Sequence, residues 1–133
     1  MKDLPDWFTT GAGIYLAPDW AAKIGGDKDL TGSVASAVSG VEYTVITYVV
    51  PSGQALFIYH FGATTYPVAG NVWAYVADAT LLVVKAITGG AQGCMGVLNK
   101  PIYIPGGHTL WLRAGQISGS TQTIVGHIGS ILG

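Results

Sequence analysis

An all-β, single-domain antiparallel β-sandwich of jelly-roll type, with about eight strands and an N-terminal arm, is the fold this sequence predicts. Three observations predict it. Short runs of β-branched and aromatic residues are separated by Pro- and Gly-containing clusters. No long segment has convincing helical periodicity, which argues against helical crossovers between parallel strands. One turn-and-strand segment also recurs 54 residues later, which fits the two Greek keys of a jelly roll, the alternative being coincidence between two ordinary turns.

Residues 1–40 read as an arm and linker, and residues 41–133 as the sandwich. Within the arm, Pro18–Gly25 is compatible with one short helix, started by Asp19 and ended by Gly25. Trp7, Phe8, Ile14, Tyr15 and Leu16 are too apolar for a free tail, so the arm should pack on the body or on a neighbouring subunit. Gly32–Gly40 has little side-chain bulk and reads as linker.

After Gly40 the period becomes two. Glu42–Val50 and Ala55–Phe61, joined by Pro51-Ser52-Gly53-Gln54, read as a hairpin. Asn71–Val76 and Thr80–Ile87 follow, with a turn at Ala77-Asp78-Ala79. Gly89–Gly93 reads as a loop before Val97 and Leu98. Pro101–Ile104 and His108–Ala114 form another expected pair, and Thr121–Leu132 completes the set.

The repeat aligns Val50-Pro51-Ser52-Gly53-Gln54-Ala55-Leu56-Phe57-Ile58 with Ile104-Pro105-Gly106-Gly107-His108-Thr109-Leu110-Trp111-Leu112. Proline fixes φ where the chain leaves one strand, and glycine supplies a positive φ. These segments resemble small jelly-roll virion proteins of tailed phages and related viruses, over about residues 43–128. That resemblance implies a capsid decoration, minor capsid or spike-head subunit. It also implies a homo-oligomer, with a trimer favoured, that contacts other virion proteins such as the major capsid protein. The implied location is the virion, after assembly in the host cytoplasm.

Composition points the same way on its own. Charged residues are 10% of the chain, against about 25% in a typical domain. Eight of the thirteen charges fall in the first 30 residues; Glu42, Asp78, Lys85, Lys100 and Arg113 are the rest. A body so poor in charge should hide neutral surface against other subunits. The net charge of −1 and the lack of a basic cluster argue against nucleic acid and against polybasic membrane anchoring. No uninterrupted apolar run reaches the length of a membrane helix, and the N-terminus does not read as a secretory signal.

Chemistry is hard to find. Cys94, the sole cysteine, has no disulfide partner and reads as a small buried hydrophobe. His60 and His108 occupy comparable strands and could approach one another, but no His-x-His exists, so the third reading, a small cupin-like metalloprotein, is weakly supported. Neither a carboxylate pair nor a nucleophile elbow is recognisable, so no enzyme and no cofactor is expected. The second reading is a carbohydrate- or host-receptor-binding module. There Tyr66, Trp73 and Trp111 would stack a glycan, and Asn71, Gln92, Gln116 or Gln122 would orient its hydroxyls. The candidate interface or ligand-surface set is thus Trp7, Phe8, Tyr15, Trp20, Tyr66, Trp73 and Trp111.

Overall fold

The computed structural model describes residues 26–68 and 70–133. The expected helix at 18–25 and the arm residues Trp7, Phe8, Tyr15 and Trp20 lie outside the described residues. The strands are β1 (Asp27–Ala37), β2 (Glu42–Val49), β3 (Ala55–Tyr66), β4 (Asn71–Asp78), β5 (Val83–Gly90), β6 (Cys94–Pro105), β7 (Thr109–Ile117) and β8 (Gln122–Leu132). They form two antiparallel four-stranded sheets, ordered β1-β8-β3-β6 and β2-β7-β4-β5. This is a jelly-roll order.

Alternation sets the core. On β4, Val72, Ala74 and Val76 face inward; on β7, Leu110, Leu112 and Ala114 do so. Leu56, Ile58, Phe61 and Ala63 of β3, with Ile124 and Ile128 of β8, meet them from the other sheet. Glycines allow the sheets to approach. A Cβ on Gly32 would stand 2.2 Å from the Val45 carbonyl oxygen, and one on Gly126 would meet Leu112 and Val45 side chains.

Two expectations are corrected. Residues 27–37 are not linker: they form edge strand β1, paired along β8 from Asp27↔Ile131 to Ala37↔Gln122. Of their inward residues, Leu30, Gly32 and Val34, the central one has no side chain, which masks the alternation. Nor are the two repeated segments hairpins. β2 and β3 lie in different sheets, as do β6 and β7; among consecutive strands only β4 and β5 pair. The turns instead bond to each other. The Val50 amide donates to the His108 carbonyl at 2.9 Å, and the Gly107 amide donates to the Val50 carbonyl at 2.8 Å.

The repeat is a real structural duplicate. Gly53 and Gly107 have φ of +85° and +84°. The Gln54 amide donates to the Pro51 carbonyl, and the His108 amide donates to the Pro105 carbonyl, in matching fashion. Each turn carries the chain from one sheet to the other, which explains why the same residue pattern is needed twice. Smaller differences concern the Gly-rich run and β6. β5 continues through Gly89 and Gly90, Thr80–Leu82 form a turn, and β6 spans both Val97-Leu98 and the Pro101–Ile104 run.

All four edge strands carry register shifts. On β1 it falls between Val34 and Ala37, and on β2 between Thr44 and Ile46. On β5, Lys85 is the extra residue between Val84 and Ala86. On β6, the ladder to β3 jumps from Ile102 to Val97.

Candidate interaction surfaces

β1 and β2 stack at one side of the sandwich, and β5 and β6 at the other. The β5/β6 side is apolar. Leu82 is 78% exposed, Val97 76% and Ile87 69%; Leu81, Val84 and Met95 are exposed with them. These side chains run along two adjoining edge strands, Ile87 beside Tyr75 on the outer face of one sheet, and Val97 and Met95 beside His60 and Gly62 on that of the other. The β1/β2 side mixes polar and apolar groups: Asp27, Asp29, Thr31, Ser33, Thr44 and Thr47 are exposed, as are Val38, Val41 and Val49.

The outer face of the β2-β7-β4-β5 sheet holds Trp73, Tyr75, Trp111 and Arg113, all half-buried. Trp73 lies across β7 because its cross-strand neighbour is Gly115; a Cβ there would fall 2.1 Å from the indole ring. The Tyr75 hydroxyl donates to Glu42 at 2.9 Å, and Arg113 Nε stands 3.2 Å from the same carboxylate. The Arg113 guanidinium also sits over the Trp111 ring, 5.6 Å from its centroid. Burial, then the Glu42 hydrogen bond and charge, push the Tyr75 phenol above its ordinary range, with Arg113 opposing.

Tyr66 is 65% exposed but belongs to β3, in the other sheet, so it does not join the two tryptophans. Gln116 and Gln122 do not serve a ligand surface either. Gln116 Nε2 donates to the carbonyls of Ala37 and Ser120, and Gln122 Oε1 accepts from the Val68 amide. Both are buried latches on the connecting loops.

The histidines pair differently from the expectation. His108 Nδ1 lies 2.7 Å from Asp78 Oδ2, while His60 faces His127, with ring centroids 5.7 Å apart. Sequence spacing hid the second pair because register alone brings it together: His60 opposes Gly129 and His127 opposes Gly62. Each ring leans over the opposing glycine, where a side chain would collide with it. Among the described residues, no group of three His, Cys, Asp or Glu side chains is placed to hold a metal, and no helix is long and apolar enough to cross a membrane. Cys94 is half-buried on β6, and burial pushes its thiol up, away from the reactive thiolate.

Burial, and then the neighbouring His60, push the His127 imidazole below its ordinary value. The folded state therefore resists a proton that the unfolded chain accepts near pH about 6.5. The contribution is fully present above that pH and is lost as pH falls below it. Urea unfolding between pH about 7 and 5 should show stability declining on acidification, and His127→Gln should flatten that decline. An unchanged slope in the variant would remove the assignment.

No protein-family model matches the chain, and no curated protein matches its sequence. Among solved structures, a chain described as the cyanophage Pam1 capsid asymmetric unit is similar at 15% identity and a TM-score of 0.45, over 81% of this chain and 86% of that chain. A likeness that distant is too weak to transfer a role.

Proposed function

We propose that the protein is a structural subunit that acts by self-association rather than catalysis, and that it serves in a virion as a decoration, minor capsid or spike-head protein. The observation that carries self-association is the apolar β5/β6 side, where Leu82, Ile87 and Val97 stand open to water. Burying such side chains against another copy is favourable by about 25 cal/mol per Å2 of apolar surface. The charge-poor composition supports the same reading. The virion placement follows from the resemblance carried by the two Pro-containing turn segments.

Light scattering on the full chain should give a discrete oligomer at micromolar concentration, with a trimer favoured. Ile87→Lys together with Val97→Lys should shift it to monomer with little change in thermal midpoint. A stable monomer, both in the full chain and in a chain beginning at Gly26, would overturn self-association. That start point leaves β1 whole. Immunogold labelling of intact particles tests the virion placement, and unlabelled particles would refute it.

The outer face bearing Trp73, Tyr75 and Trp111 supports a second reading as a glycan-stacking platform. Tryptophan fluorescence that stays unchanged across a glycan panel would remove it.

A further inference from the structure

We infer that the copies associate head to tail, the β5/β6 side of one seating on the β1/β2 side of the next, with Lys85 and Lys100 facing Asp27 and Asp29. This rests on the self-association proposed above and specifies its geometry. The two sides differ in charge as well as in polarity. Lys85 and Lys100 are the cations of the β5/β6 side, and both are exposed. Asp27 and Asp29 are exposed on β1 at the opposite side. Among the described residues, no ion pair engages any of the four; the pairs present join His108 to Asp78 and Arg113 to Glu42.

The levels also match. Asp29 pairs with Gly129, Gly129 with His60, and His60 with Val97. Lys100 lies in the β6 irregularity between Val97 and Ile102, so it sits at the level of Asp29 across the same sheet. A neighbour that presents its β1/β2 side to this β5/β6 side would bring these opposite charges together. A self-complementary contact between two β5/β6 sides would instead oppose lysines to lysines, which is unfavourable. A head-to-tail contact closes into a ring when its rotation allows, and the smallest such ring beyond a dimer is a trimer.

The contact is not strand addition. Lys85 sits in the β5 bulge, and Lys100-Pro101 in that of β6, features that obstruct pairing of one edge with another. The apolar side chains around those lysines supply the adhesion, and the charges choose which side they meet.

The test uses the full 133-residue chain and sedimentation equilibrium. The variants are Lys85→Glu with Lys100→Glu, Asp27→Lys with Asp29→Lys, and all four together. Each pair should weaken association at least about tenfold, and the combined exchange should return it to within about threefold of the original. Weakening by the lysine pair alone, or no recovery on combination, would overturn the head-to-tail contact while leaving self-association intact. A monomeric parent chain would overturn both. Thermal midpoints report whether the variants fold. Should a charge-reversed pair fail to fold, Lys100→Gln and Asp29→Asn replace it. Each should then make association less sensitive to salt, and unchanged salt sensitivity would count against the contact.

Discussion

Asp78→Ala is expected to lower unfolding stability by about 3 kcal/mol, as befits loss of a buried, charge-assisted hydrogen-bond hub. Asp78 ends β4 fully buried. Its Oδ1 accepts from the Thr80 and Leu81 amides, at 3.0 and 3.2 Å, and its Oδ2 meets His108 Nδ1. It shapes the β4–β5 turn and ties that turn to the β6–β7 turn. Removing it leaves two amides and an imidazole without their acceptor. Burial alone would raise the carboxyl, but the hydrogen bond from His108 and those from the Leu81 and Thr80 amides outweigh it and hold the group below its ordinary value. The sign follows. A depressed carboxyl contributes stability above its unfolded value of about 3.9, and loses that contribution as pH falls further. Urea titration at pH about 7 and about 3 should therefore show the gap between parent and Asp78→Asn narrowing in acid. An equal gap at both values would contradict the account.

The second large effect concerns a residue with no chemistry at all. Gly106→Ala should cost about 1–3 kcal/mol through overpacking, whereas Ser52→Ala, at the corresponding place in the repeat, should stay within about 0.5 kcal/mol. A Cβ on Gly106 would stand 2.5 Å from the Gln54 carbonyl oxygen and 2.8 Å from that of Pro51. These are backbone atoms of the other turn and cannot rotate away. Ser52 is exposed and meets no such wall. The two turns share their dihedral pattern but not their packing, and paired thermal unfolding measurements would register the difference. Equal costs at the two positions would mean that the turns do not press together as described.

The strands of the body were legible because β-branched and aromatic residues alternate with smaller ones and end at Pro or Gly. β1 was not, since Asp27–Ala37 turns Leu30 and Val34, either side of the bare Gly32, only partly inward, and pairs with the far end of the chain. The sequence conceals the pairing partners for a related reason. A proline–glycine turn between two strands is read locally as a hairpin, but here each turn is held by its twin, 54 residues away. The candidate site was legible in part. Trp73 and Trp111 share one outer face, but it takes the β4–β7 register, beyond each strand's alternation, to bring them there. That the bulky residues lie outside and Val72, Ala74 and Val76 inside depends on how closely the sheets approach, which single-strand patterns do not encode. The apolar β5/β6 side was signalled only as a shortage of charge; its location comes from sheet order.

The irregular margins of the sandwich bear on what happens when many copies are crowded together. Each of the four outermost strands breaks its ladder at least once. A broken ladder is a poor template, so one molecule does not readily recruit the backbone of another, and the route towards fibrous aggregates is obstructed at every flank. Sticky side chains on a body with unreceptive margins favour contacts through side chains over a shared backbone ladder.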